Sequence, residues 1–223
     1  MPSWLTYEPQ DFLLYSPRVY YRLIELHNTA LWPFQLAALA LGILLIVLSL
    51  RREVWAARAV FIILGIVWIW IAWSFLWERY STINWAAAYI VPLFVLQGLA
   101  LIGYGALRTD LRFAPVAGFA GVGAILLLAA AIFAYPLIAP FLGRPWSGAE
   151  LFGIFPDPTA IATLVVLARV RRGGALLMVL PALSCALASE ILWLLGSPDF
   201  FIPAAAAFAA ILLRLARRGE TLP

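Results

Sequence analysis

Long apolar runs separated by short polar turns dominate the hydrophobic pattern of the chain. Leu31 to Leu50, Ala59 to Trp77, Trp85 to Leu107, Pro115 to Tyr135 and Ala175 to Leu195 each approach the length that a spanning helix needs, about 20 apolar residues. Two further runs are shorter, Thr159 to Val170 and Phe200 to Leu213. The first gives roughly 18 Å of helix at about 1.5 Å per residue, against a hydrocarbon core of roughly 30 Å. It cannot span alone. Pro156 and Pro158 are expected to block its extension toward the N-terminus, while Arg169, Arg171 and Arg172 anchor its other end. The helix start is therefore expected below the opposite membrane surface, with unpaired backbone N–H groups and the positive end of the helix dipole beside Asp157.

Ahead of these runs, Ser16 as a cap and Pro17 in the first helical position predict a short amphipathic helix ending near Asn28. Tyr20, Leu23, Ile24 and His27 form one stripe and Arg18, Arg22 and Glu25 another, the pattern of a helix lying in the membrane interface. His27 falls on the apolar side. We read it first as a packed interfacial histidine with one nitrogen hydrogen-bonded, and second as a ligand or proton carrier. As the sole histidine it excludes a multi-histidine metal site. Residues 136 to 158 carry five prolines and are too apolar for a free linker, so they are expected to fold back over or into the bundle.

The pattern predicts an all-α, polytopic membrane helix bundle with seven transmembrane segments, the fifth and seventh short, plus the N-terminal interfacial helix. One integral membrane domain covers 1–223: an outer interfacial segment 1–30, a bundle 31–214 with the irregular outer segment 136–158, and a cytoplasmic tail 215–223. Composition agrees. The chain is 65% hydrophobic and 12% charged, with a mean hydropathy of +0.99, more apolar surface than a soluble core could hide. A net charge of +4 and a pI of about 9.6 come from arginines at segment ends, so no nucleic-acid partner is expected. There is no lysine, to which we attach no function, and the lone Cys185 excludes an intrachain disulfide. The start of the chain lacks the basic region and cleavage site of a signal peptide.

Charge sets the expected orientation. Arg51, Arg52, Arg58, Arg108, Arg112, Arg169, Arg171, Arg172, Arg214, Arg217 and Arg218 fall on one side, and Arg18, Arg22, Arg79 and Arg144 on the other. The positive-inside rule places the N-terminus outside and the C-terminus in the cytoplasm. Acidic residues divide the opposite way: Glu8, Asp11, Glu25, Glu78, Glu150, Asp157 and Asp199 are outer, with Glu190 just beneath. A solvated outer face explains this; so does a cation- or proton-handling vestibule of Glu78, Asp157 and Glu190. For Glu78 and Asp157 we favour the solvated face. Glu190 is the stronger candidate, because a carboxylate within an apolar segment must be paired, hydrated or protonated.

Other polar positions complete the candidate solute or ion site: Thr159, Asn84, Gln97 and His27. Gln97, mid-way along an apolar run, is read first as an interhelical hydrogen bond and second as lining a pathway, with Gly98, Gly103 and Gly105 allowing close helix approach. Trp77, Tyr80, Trp85 and Tyr89 fit an aromatic belt. The Thr159 hydroxyl and the helix dipole suit an anion, but Asp157 would repel one. That conflict favours a cation, a proton or a neutral solute.

Several motifs together resemble a bacterial family of small multi-pass membrane proteins catalogued as a domain of unknown function, some members of which carry a permease-like label. They are Ser16-Pro17 with Tyr20, Tyr21 and Arg22; Asn28 with Trp32-Pro33; Glu78-Arg79-Tyr80 with Ile83-Asn84-Trp85-Ala86-Ala87; and Phe152-Gly153 through Pro156-Asp157-Pro158-Thr159. The resemblance covers nearly the whole chain and implies no established activity. The sequence reading is a small transporter or channel with an outward-facing site in a bacterial plasma membrane. The alternative is a non-catalytic subunit or partner-binding protein, in contact with a membrane-protein partner or a second copy besides the lipid bilayer. No enzyme is expected, since no catalytic motif is found, and no cofactor.

Overall fold

The computed structural model describes residues 14–171 and 173–220. Glu8, Asp11 and Arg172 lie outside the described residues. Helix α1 (Pro17–Leu31) is followed at a bend of 89° by α2 (Phe34–Leu50). Next come α3 (Val54–Ile71), α4 (Ala87–Leu107), α5 (Gly118–Ala129), the one-turn α6 (Ile138–Phe141), α7 (Pro156–Arg169), α8 (Val179–Leu194) and α9 (Ile202–Glu220). Two helices change pitch toward the same end of the bundle: α3 continues as a π-helix over Ala72–Trp77, and α5 over Ala130–Ala134. The fold is all-α among the described residues, apart from an isolated bridge between Phe113 and Val170.

Four segments are long and apolar enough to cross a membrane: Val54–Thr82, Ala87–Leu107, Gly118–Phe141 and Leu176–Leu194. A fifth is added if the bent α1–α2 pair counts as one. The chain therefore has the makings of a membrane protein. Helix α7, with 14 residues, is too short to cross alone and sits differently. Every side chain from Asp157 to Arg169 is buried, sheathed chiefly by α5, α8 and α9 with α3 alongside. This short helix is the axis of the bundle.

Its two ends explain its length. Pro156 and Pro158 do not precede the helix, as expected from sequence, but begin it: Pro156 is the first helical residue. The first-turn N–H groups have no partner within a helix, so prolines there remove donors that would be orphaned anyway. At the other end arginines cover the terminal carbonyls. Arg214 donates to Leu167 O and Gly173 O, and Arg217 to Arg169 O at 2.7 Å and to Val170 O. Arg169 itself reaches Ser49 O at 2.6 Å and Ala114 O at 3.2 Å. Cations on the C-terminal carbonyls of a helix offset both the unpaired acceptors and the negative end of its dipole.

This clamp corrects two expectations. The last helix is not short and does not stop near residue 213 with a tail from 215; α9 has 19 residues and runs to Glu220. Arg214 and Arg217 lie within the helix because their side chains turn inward onto α7. The N-terminal helix also differs from its prediction, running to Leu31, with α2 beginning only at Phe34. Its buried face is the predicted stripe, Tyr20, Leu23, Ile24 and His27, with Asn28 added. That stripe packs on protein: the Tyr20 ring meets those of Tyr15 and Tyr80, with centroids 5.9 Å and 6.2 Å away, and Asn28 finds polar partners. Tyr15 and Tyr80 share a hydrogen bond between hydroxyls, and Asn28 Nδ2 donates to Ser147 O at 2.7 Å and Ala149 O at 2.8 Å.

The most extensive helix pairing is α3 against α4. Gly65 and Gly98 set its closeness: a Cβ built on Gly98 would stand 2.6 Å from the Gly65 carbonyl oxygen, and one on Gly65 2.5 Å from Gly98 O. Backbones approach this far only where both faces lack a side chain.

Candidate functional site

At the N-terminal end of α7 the bundle encloses a cavity of about 160 Å³. Six parts of the chain build it. The π-helical end of α3 contributes Phe75 and Leu76, with Trp68 a little deeper and Tyr80 beyond; α4 contributes Ile90, Leu93 and Phe94. Helix α8 supplies Leu180, Leu183, Ser184, Leu187, Ala188 and Ile191. The polar end is closed by Tyr20 of α1, Glu150 of the 142–155 connection, and Asp157 in the first turn of α7. π-Helical turns displace side chains from the regular α-helical register and recur at functional sites. Here one leads directly to Phe75 and Leu76, and the other to Tyr135.

Two buried carboxylates therefore meet one apolar chamber. Asp157 accepts a hydrogen bond from the Tyr135 hydroxyl at 3.4 Å, at the long limit of such a bond. Its negative charge also lies where the α7 dipole is positive, a favourable placement. Glu150 has no hydrogen-bond partner among the described residues. Neither carboxylate is ion-paired among those residues. Arg144, whose charge reaches Glu150, is committed elsewhere: it pairs with Asp199 at 2.8 Å and lies 4.5 Å over the Tyr21 ring. Burial consequently pushes the Glu150 carboxyl well above the ordinary range; the Asp157 charge adds to this, and Arg144 opposes it.

Below the polar end the wall is stapled to α7. Trp68 Nε1 donates to Thr163 Oγ1 at 2.9 Å, and Thr163 donates to Thr159 O at 2.7 Å. The Thr159 hydroxyl in turn accepts from Gly153 N at 2.9 Å. Thr159 thus orders the loop that carries Glu150 and does not line the chamber.

The remaining sequence-predicted residues are dispersed. Glu190 is exposed on α8 and outside the cavity lining, although its neighbours Ala188 and Ile191 belong to it. Glu78 is exposed and lines a separate surface groove with Arg18, Arg22 and Arg79. Asn84 braces its own turn, accepting from Ala86 N at 3.1 Å and reaching Tyr80 OH at 3.4 Å. Gln97 Nε2 donates to Leu177 O at 2.9 Å, tying α4 to the start of the α8 segment. His27 stands between the rings of Phe75 and Phe155, each with its centroid 5.4 Å away, and its Nε2 is buried without a partner. Of the sequence candidates only Asp157 lines the chamber; Glu150, Tyr20 and Tyr80 are brought to it by the fold, and Tyr135 stands behind Asp157. One signal for Glu150 was present, a carboxylate inside the apolar run Ala149-Glu150-Leu151-Phe152, but it lay in a connection without periodicity.

Among the described residues no group of three or more His, Cys, Asp or Glu side chains is placed to hold a metal ion. The arrangement can accept a hydrogen-bond donor, hold a proton, or neutralise a cation.

Fold and site together define an all-α, multi-helix protein with several helices apolar enough to span a membrane and a buried acidic chamber at one end. The chain belongs to DUF6064, a family of unknown function, whose model matches residues 17–222. No curated protein and no solved structure matches it.

Proposed function

We propose that this is a small membrane transporter or channel for a cation, a proton or a neutral solute, with its site in the chamber at the start of α7. The carrying observation is the placement of Glu150 and Asp157 on one apolar cavity with no arginine paired to either. Keeping two carboxylates buried and unpaired costs stability, and such groups in membrane proteins commonly mark ion and proton pathways. A protonated Glu150 offers a donor to a neutral solute; an ionised one holds a cation.

The topology that fits this use has seven crossings, α2, α3, α4, α5, α7, α8 and α9, alternating between the acidic end and the arginine end. Helix α7 crosses inside a sheath of protein, so its length of about 21 Å need not match the lipid. The arginine-rich end would be cytoplasmic and the chamber outward-facing, in a bacterial plasma membrane. A second reading, a non-catalytic subunit, draws on the exposed aromatic surface of Trp73, Trp77, Trp85 and Tyr89, which suits a membrane-protein partner or second copy as well as an interfacial belt.

The test is flux of protons, metal ions and small solutes in liposomes carrying the purified protein, with Asp157→Asn and Glu150→Gln as site variants and Glu190→Gln as the control outside the chamber. The transport reading expects flux lost in the first two and kept in the third. Flux no greater than in empty liposomes, from protein that elutes as a folded species, overturns it for the solutes assayed.

A further inference from the structure

The chamber has an opening that faces sideways. Leu93 of α4 and Leu183 and Leu187 of α8 line the cavity, yet they are 46%, 59% and 39% exposed. The cavity is partly open, and side chains that line it while this exposed place its edge at the molecular surface. The flanks of α4 and α8 are apolar, and the two helices touch only sparsely, in contrast to the tight α3–α4 pair. In a bilayer this mouth opens onto hydrocarbon.

Size and polarity describe what would enter. The volume of about 160 Å³ compares with the roughly 150 Å³ apolar cavity that accommodates a benzene-sized molecule. At its inner end two polar side chains face the chamber without a hydrogen-bond partner among the described residues, the Tyr20 hydroxyl and the Glu150 carboxylate. Both are more than nine-tenths buried. Their walls are the rings of Phe75, Tyr80 and Phe94. An unpaired carboxylate behind aromatic faces is complementary to an ammonium group, through charge-assisted hydrogen bonding and cation–π attraction.

We propose that the chamber takes a lipophilic amine from the bilayer through the gap between α4 and α8, its ammonium against Glu150 and Tyr20 and its hydrocarbon part along Phe94 and Leu183. This rests on the reading of the same cavity as a solute site and narrows the solute to one that partitions into lipid. Entry from the membrane means that ligand concentration is set by partitioning.

The test is calorimetric titration of octylamine into the full chain in lipid nanodiscs, with empty nanodiscs subtracted. Saturable binding is expected. It is expected to weaken about tenfold in Glu150→Gln, the loss of one charge-assisted hydrogen bond. A similar weakening is expected in Leu183→Trp, which fills the mouth from an exposed position. Octanol should not distinguish wild type from Glu150→Gln. Absence of saturable octylamine binding by a folded wild-type protein overturns the proposal, as does equal binding by Glu150→Gln. Cation or proton flux that depends on Glu150, without octylamine binding, removes the amine and leaves the transport reading; octylamine binding without any flux removes transport and leaves the amine site.

Discussion

Trp68 of α3 donates its indole N–H to the Thr163 hydroxyl of α7 at 2.9 Å, with both side chains buried. Among the described residues it is the one side-chain hydrogen bond between the wall of the chamber and the middle of the central helix, and Thr163 passes it on to the Thr159 carbonyl. Thr163→Val keeps the shape and removes the acceptor. The stranded indole N–H is expected to lower stability by about 1–3 kcal/mol, read as unfolding in detergent. Trp68→Phe in the same background should add little, since the partner is already gone.

The α3–α4 contact predicts a contrast between glycines on one helix. An alanine at Gly98 would press its Cβ onto Gly65 O at 2.6 Å, where backbone cannot yield, whereas a Cβ on Gly103 meets nothing within 4 Å. Gly98→Ala is expected to destabilise by about 1–3 kcal/mol. Gly103→Ala should fall within about 0.5 kcal/mol of wild type. Equal effects from the two would mean that the helices are not in this register.

The arginine clamp is expected to be structural. Arg214→Leu removes the donors to Leu167 O and Gly173 O and leaves buried carbonyls at the end of α7. Hydrogen bonds from charged donors are worth about 1.5–3 kcal/mol each. The expected result is a loss of at least that order in a detergent unfolding assay, with Arg214→Lys recovering part of it through a single donor.

His27 gives an acid-sensitive term. Its burial, reinforced by the charge of Arg79, pushes the imidazole down to about 4 from an ordinary value of 6.5. The folded protein keeps His27 neutral where the unfolded chain would protonate it, so the stability present above pH 6.5 is lost as pH falls toward 4. The difference amounts to at most roughly 3.4 kcal/mol. His27→Gln should flatten the wild-type pH profile across that window, measured as unfolding midpoint against pH.

Glu150 acts in the opposite direction. Its carboxyl is raised in the folded state, so its contribution is most favourable at low pH and declines as pH rises above the ordinary carboxyl range. Glu150→Gln is expected to be more stable than wild type at alkaline pH, with the gap closing as pH is lowered. A constant gap across pH would show that the carboxyl is not buried in the chamber.

Some of this architecture was legible in residue order alone. Ser16-Pro17 marked the start of α1, and the spacing of Tyr20, Leu23, Ile24 and His27 named its buried face. The long apolar runs located the major helices, and Asp157 was placed beside the start of α7, although the helix begins at Pro156 and not at Thr159. Gln97, a polar residue in an apolar run, makes an interhelical hydrogen bond. These features are written locally, as caps, periodicity and composition, and depend on few distant partners.

Tertiary structure decided the rest. An apolar helix reads the same whether lipid or protein surrounds it, so the sequence could show that 159–170 was too short but not that it was the sheathed axis of the bundle. Arginines that resemble topology signals turned out to cap that axis, because carbonyls from α7 come within reach only when α9 packs beside it. The chamber is the clearest case. Glu190 stood out from its apolar neighbours, yet its direction on α8 leaves it exposed. Glu150, in a connection without period, meets Asp157 only through the folding back of residues 142–155 under α1. Sequence fixes which residues are expensive to bury; which of them share a cavity is a property of long-range packing.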